Sequence, residues 1–363
     1  MNLMKSHHDH PFIAIWETTQ ACDLSCKHCR AEARPERDVG ELDTAEGKRL
    51  LESFAAAQVP LVVLTGGDPA KRPDLVELVA YGHSLGLTMG LTPSATPLVT
   101  PELVGELARA GLARLAISID GPNAEIHDSF RGMAGGFECA QSILAAARRH
   151  SLSTQINTSI YKSNQRCLPE LVDFVRAQRC TLWSVFFVVP TGRATRRMEL
   201  SEDEVEVALE LLADTAEREP FAIKTTAAPQ YRRLLLQRGR GKSHGARGIA
   251  GLDVNEGRGF MFVSHRGDVF PSGFLPVACG NVRQTDPVAL YRESPIFRSL
   301  RDPDALQGKC GVCQYKKVCG GSRARAYAHS GNLLASDPAC AYVPPGYVEP
   351  PQAARPRRLE VLA

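Results

Sequence analysis

The residues in this chain best placed to do chemistry are cysteines. Cys22, Cys26 and Cys29 fall at a C-x3-C-x2-C spacing within Ala21-Cys22-Asp23-Leu24-Ser25-Cys26-Lys27-His28-Cys29-Arg30. Three thiolates are one short of the four protein ligands of a structural zinc, and one short of a fully ligated four-iron cluster. The spacing therefore predicts a 4Fe-4S cluster with one iron left open to bind something reactive. A zinc knuckle completed by a distant ligand, or three unconnected thiols, is the alternative. Cys310, Cys313, Cys319 and, after a gap, Cys340 form a second group, enough to ligate a cluster or a zinc ion fully. Cys139, Cys167 and Cys180 read as small buried thiols, and Cys279 as a spare ligand. His7-His8-Asp9-His10 is expected to be terminal tail rather than a metal site.

The composition suits such thiols. Eleven cysteines in a chain whose N-terminal segment lacks the apolar core of a signal peptide favour metal or cluster binding over disulfides. The expected location is the reducing cytoplasm. Lys and Arg exceed Asp and Glu by 43 − 40 = 3, which makes no electrostatic case for nucleic acid or an anionic membrane. No apolar run approaches the roughly 20 residues needed to span a bilayer.

The elements that must position the cysteines alternate regularly. Pro11 to Trp16 reads as a first buried strand, with the cysteine trio at its carboxyl end. Helices are predicted over Thr44–Ala57, Pro73–Leu85, Pro101–Ala110, Phe137–Arg149 and Leu168–Ala177. Between them run short apolar strands at Leu61–Leu64, Leu87–Leu91, Leu115–Ile119, Ser153–Ile160 and Leu182–Val189. Six β/α units of this kind describe parallel strands covered by helices. Periodicity alone leaves open a partial barrel, a full barrel or a doubly wound sheet; in each, ligands bind at the carboxyl ends of strands. The expected division is a tail over 1–10, the β/α region over 11–200, a bridging helix and mobile basic loop over 201–259, a small cysteine-rich α+β region over 260–343, and a disordered tail over 344–363. The basic loop spans Gln230 to Arg258, and a hairpin is expected at Phe260–Val263 and Val269–Phe270.

The cysteine spacing resembles the signature of the radical SAM superfamily. Trp16-Glu17-Thr18-Thr19 and Cys29-Arg30-Ala31-Glu32-Ala33 resemble its branch in alternative haem and haem d1 synthesis. The resemblance implies a partial (β/α)6 TIM-like barrel. It also implies that S-adenosylmethionine (SAM) occupies the open iron of the 4Fe-4S cluster and is cleaved by one electron to a hydrogen-abstracting 5′-deoxyadenosyl radical. Thr65-Gly66-Gly67-Asp68-Pro69 then matches the segment that contacts the SAM amino group, with Asp68 in place of the usual glutamate. Ser118 and Asp120 are expected near the ribose or methionyl carboxylate. Thr92, Ser94 and Asn157 sit at strand ends, Arg131 suits the SAM carboxylate, and Val189 suits the adenine. Cys310-Gly311-Val312-Cys313 through Cys319-Gly320-Gly321 resembles the SPASM and twitch auxiliary-cluster domains. The fuller two-cluster pattern expects further cysteines near Ser272 and Ser322, so a single auxiliary 4Fe-4S cluster is implied.

For function, the resemblance implies oxidation or decarboxylation of a tetrapyrrole side chain, with electrons from a reduced ferredoxin or flavodoxin-type donor. The basic segment after Gln230 is available to pair with substrate carboxylates. Enzymes that modify ribosomally made peptides share the arrangement, but often carry an amino-terminal peptide-recognition domain, which the ten or so residues before the first strand do not provide. A non-enzymatic zinc or iron-sulfur redox protein is the reading from a different class.

Overall fold

The structure is a computed structural model that describes residues 9–239 and 254–348. The six expected strands are present: β1 (Ile13–Glu17), β2 (Leu61–Thr65), β3 (Met89–Leu91), β4 (Arg114–Ser118), β5 (Ser153–Ile160) and β6 (Leu182–Phe187). They pair in parallel with their neighbours in chain order. Glu17 lies opposite Thr65, Ser118 opposite Asn157 and Ile160 opposite Phe187, so the carboxyl ends share one rim of a curled sheet.

Two further parallel strands extend the sheet at its edges. β7 (Ala222–Thr226) joins β6, and β8 (Phe260–Val263) joins β1 on the opposite side. β9 (Val269–Phe270) then folds back antiparallel on β8, which is the expected hairpin. The cysteine-rich C-terminal region is thus continuous with the barrel sheet. β7 lies within the stretch read as a bridge, and it has no apolar run to announce it. All five of its residues are only half-buried.

Helices α1 (Thr44–Ala56), α2 (Leu75–Ser84), α3 (Pro101–Arg109), α4 (Ala124–Arg131), α5 (Gly136–Arg149), α6 (Leu168–Gln178) and α7 (Glu202–Arg218) cover the outer face. α1 shows how the local sequence sets this layer. Asp43 accepts from Glu46 N while the Glu46 side chain accepts from Asp43 N, closing a capping box, and Leu50, Leu51 and Phe54 turn inward. Trp16, Leu64, Met89 and Trp183 fill the space beneath the helices. α8 (Gln230–Gln237) replaces the expected start of the basic loop. Arg232 and Arg233 are held on it, Arg233 by Glu206 of α7 at 2.5 Å and Arg232 by the carbonyl oxygens of Val318 and Val254 at 2.5 and 2.8 Å. Arg240, Lys242 and Arg247 lie outside the described residues, as do His7, His8 and the tail from residue 349. Helices α9 (Pro287–Glu293), α10 (Pro295–Arg301), α11 (Gly308–Val312) and α12 (Arg323–Ser330) build the C-terminal lobe. Among the described residues no helix is long and apolar enough to cross a membrane.

Asp43→Ala removes one half of the α1 capping box. Chemical denaturation should register a loss of about 1 kcal/mol, with iron content per chain unchanged.

Candidate active site

β1 delivers the chain into the cysteine loop, and several structures fasten that loop. The turn after β2 is the closest. Gly67 N donates to Thr19 O at 2.8 Å and Asp68 N to Ala21 O at 2.6 Å. A Cβ on Gly67 would stand 2.4 Å from Ala21 O and 2.5 Å from Gln20 O. Only glycine lets the two backbones meet there. From the β8 side, His265 Nδ1–H donates to buried Glu17 Oε1 at 2.7 Å, and Arg30 donates to Glu17 Oε2. Burial alone would raise the Glu17 pKa, but the Arg30 charge and the hydrogen bonds from His265 and Arg30 hold it below the usual value. The Arg30 guanidinium also lies 4.5 Å from the centre of the Phe262 ring.

α4 supplies the third fastening, and the sequence periodicity gave no warning of it. Arg131 in its last turn donates from Nε to Asp120 Oδ2 at 2.5 Å, and its Nη1 stands 3.9 Å from Cys26 Sγ. The other Asp120 oxygen accepts from Ser159 N at 2.6 Å. Burial would raise the Asp120 pKa, yet the positive charge of Arg131 in particular holds it below the carboxylate norm. His28, inside the loop, stacks on Phe130 at 4.2 Å, and Phe130 stacks on Tyr161 at 4.0 Å.

The thiols themselves fit a bound cluster. Leu24 N lies 3.4 Å from Cys22 Sγ and Ala33 N lies 3.4 Å from Cys29 Sγ. Such donors suit sulfur that carries negative charge. Burial pushes Cys22 up to about 11 and raises Cys26 too. Burial thus disfavours the bare thiolates, and a bound metal would supply positive charge that favours them.

All three thiols line a cavity of about 1170 Å³ on the concave side of the sheet. Gly66, Gly67, Thr92, Ser94, Ser118, Arg131, Asn157 and Val189 share its wall. Asp68 and Asp120 do not. The Asp68 carboxylate is fully buried and occupied within the fold, accepting from Thr96 Oγ1 at 2.7 Å, Ala70 N at 3.1 Å and Ser94 N at 3.3 Å. The short turn after β2 needs that carboxylate as its cap, so only the backbone of this segment faces the cavity. Asp120 stands behind Arg131 and aims it. The cavity wall also carries Arg114 of β4 and Lys224 of β7, which the sequence reading did not single out.

Cys310, Cys313, Cys319 and Cys340 line one separate pocket. Tyr315 N is 3.4 Å from Cys313 Sγ, Gly321 N is 3.4 Å from Cys319 Sγ, and Arg323 Nη2 is 3.6 Å from Cys310 Sγ. Burial pushes Cys319 up to about 12 and Cys340 up to about 11. Cys279 is absent from this pocket and packs against the main core, while Cys139, Cys167 and Cys180 also pack with core side chains. Ser322 is fully buried, where it caps α12 and donates to Glu256 Oε1 at 2.9 Å, and Ser272 sits on the main cavity wall. His10 is buried with its Nδ1 3.0 Å from Pro11 O. Among the described residues no three His, Cys, Asp or Glu side chains close around a single metal ion.

A parallel half-barrel with a cysteine trio at its rim defines a class of SAM-dependent iron-sulfur enzymes, and the chain belongs to the radical SAM superfamily, whose profile matches residues 16–175. Membership implies SAM and a 4Fe-4S cluster. Along its length the chain is 39% identical, over 341 residues, to the AdoMet-dependent heme synthase of Methanosarcina barkeri, covering 92% of this chain and 97% of that one. It is 31% identical over 340 residues to the PqqA peptide cyclase of Rhodopseudomonas palustris, covering 92% and 88%. The fold is shared with Streptococcus suis SuiB bound to S-adenosylmethionine, with a TM-score of 0.71 at 17% identity over 92% of this chain and 78% of that one.

Gly67→Ala should push the cysteine loop off the β2 turn, lowering the thermal midpoint and the iron bound per chain together. Arg131→Met leaves Asp120 buried and unpaired, a loss of about 3–5 kcal/mol. Because the folded-state pKa of Asp120 lies below its ordinary value of 3.8, its contribution is present above that pH and is lost as pH falls through the lowered value. Asp120→Asn should flatten this acid limb of an unfolding titration.

Proposed function

We propose that this chain oxidatively decarboxylates a propionate side chain of a tetrapyrrole in haem synthesis. For each side chain, carbon dioxide, one hydrogen atom, one proton and one electron leave, and a vinyl group remains. The carrying observation is 39% identity to an AdoMet-dependent heme synthase along nearly the whole of both chains. The cavity supports it: about 1170 Å³ exceeds the roughly 300–1,000 Å³ of an ordinary ligand pocket, leaving room for a large substrate beside SAM.

Cys22, Cys26 and Cys29 would hold the SAM-binding cluster, and Cys310, Cys313, Cys319 and Cys340 an auxiliary 4Fe-4S cluster that takes the surplus electron. Bound together, the reduced first cluster and SAM supply the hydrogen-abstracting radical. The chain's own part is to bind and orient. The Gly66–Gly67 backbone meets the SAM amino group, Arg131 its carboxylate, Ser118, Asn157, Thr92 and Ser94 its polar edge, and Val189 its adenine. Asp120 keeps Arg131 aimed. A reduced ferredoxin or flavodoxin-type protein is the electron source in the cytoplasm. All eleven cysteines are buried or half-buried, and none is joined in a disulfide.

Peptide modification is the second reading, favoured by the identity to a PqqA peptide cyclase. One assay separates the two. Anaerobically reconstituted protein with SAM, dithionite and iron-coproporphyrin III should release 5′-deoxyadenosine and a porphyrin that has lost carbon dioxide and two hydrogens from a propionate. An unchanged porphyrin removes the tetrapyrrole assignment. Replacing Cys22, Cys26 or Cys29 by Ala should abolish 5′-deoxyadenosine formation, whereas Cys310→Ala should lower iron from about eight to about four per chain.

A further inference from the structure

The inward-facing positions of neighbouring strands form rows across the sheet, and one row runs Ser118, Asn157, Ser184, Lys224. Its first two members stand on the cavity wall beside the cysteine trio, and the row ends on β7 at a lysine that lines the same cavity. Three strand spacings of about 4.8 Å place Lys224 roughly 14 Å from Ser118 measured along the sheet. Lys224 therefore faces a part of the substrate remote from the SAM end.

Its surroundings are unusual for a lysine. No side chain among the described residues lies within hydrogen-bond or ion-pair reach of its ammonium, and the charged groups that act on it are Arg232 and Arg114, both positive. Burial and these two neighbours push it down to about 8. The cavity wall includes two carboxylates, but each is committed elsewhere. Glu219 accepts from Arg176 at 2.8 Å, and Glu256 accepts from Ser322 Oγ at 2.9 Å. Gathering like charges in a half-buried space costs free energy that an anion would recover. The alternative, a structural lysine, would have found an internal acid.

We propose that Lys224 is the anchor for a substrate carboxylate, one other than the carboxylate undergoing reaction, at the end of the cavity away from the cysteine trio. The anchor rests on the tetrapyrrole reading, in which several carboxylates project from different edges of one rigid macrocycle. Gripping a distant edge fixes which side chain is presented at the SAM end, so Lys224 is a positioning residue. Remote binding energy of this kind orients the reacting group.

The experiment compares wild-type, Lys224→Met and Lys224→Arg proteins, each reconstituted with clusters and SAM, by absorbance titration. The probes are iron-coproporphyrin III and the iron complex of its tetramethyl ester, which has the same ring and no free carboxylate. Loss of one charge-assisted hydrogen bond should weaken binding of the acid about ten- to a hundred-fold in Lys224→Met. Lys224→Arg should stay within a few-fold of wild type, and the ester should bind all three proteins alike. Iron content and thermal midpoint report folding. Equal affinity of Lys224→Met and wild type for the acid overturns the anchor, as does an equal loss for the ester or a wild-type protein that binds neither probe. If the charge-dependent loss is seen but wild type leaves the acid chemically unchanged, the anchor stands and the decarboxylation reading falls.

Discussion

The turn after β2 and the cysteine loop after β1 press backbone against backbone, and most of the site depends on that contact. Glu17 and Thr65 end their strands in step. The two following segments leave the sheet side by side, with Gly67 too near Ala21 O and Gln20 O to carry a side chain. This fixes the height of the thiols above the rim. Ser94, reaching across from the segment after β3, meets both Cys22 Sγ and Gly67 O, at 3.3 and 2.8 Å. Three consecutive strand ends are thereby locked into one surface before any cofactor is considered.

Charge completes what packing begins. Glu17 and Asp120 are both buried carboxylates kept ionised by arginines, and both arginines belong to the cysteine loop's surroundings. Arg30 follows Cys29 directly and Arg131 approaches Cys26. Neither acid reaches the cavity wall, and each acts through its arginine. The same division holds at Asp68, where a carboxylate at a position associated with ligand contact is consumed by Thr96 and two backbone N–H groups. Buried acids here set geometry, while sulfur, backbone and guanidinium groups face the cavity.

Much of this was legible in the sequence. The six β/α units and the hairpin lie where apolar periodicity put them, because every strand carries buried residues and the helices between them turn a stripe of apolar side chains inward. The cysteine trio and eight of the ten residues proposed to meet SAM line one cavity, because strand ends converge in any parallel sheet, and the second cysteine group lines a pocket of its own. What was not legible has local causes. α4 is short, with only His127 and Phe130 buried, so it offers no stripe to detect. β7 reads Ala-Ile-Lys-Thr-Thr, faces the cavity with Lys224, and hides its strand character behind polar residues. Arg232 and Arg233 look like linker charge until the carbonyl oxygens of residues 254 and 318 and the Glu206 side chain are brought to them by the fold. Asp68 is claimed by Ser94 and Thr96, 26 and 28 residues on, and Asp120 by Arg131 and Ser159, 11 and 39 residues on, beyond any motif.

The pairing of β8 with β1 has a consequence for how the molecule is made. β1 is made before its neighbour β2, but the partner of its other edge, Phe260 to Val263, is made some two hundred residues later still. An unpaired edge is a site for wrong pairing. The same late strand brings His265 to Glu17 and Phe262 to Arg30, the residues that brace the cysteine loop from the far side. The first cysteines translated are therefore not fully held until residue 265 of 363 has been made, so an iron-sulfur cluster delivered to this chain meets a finished cradle only after about three quarters of it exists.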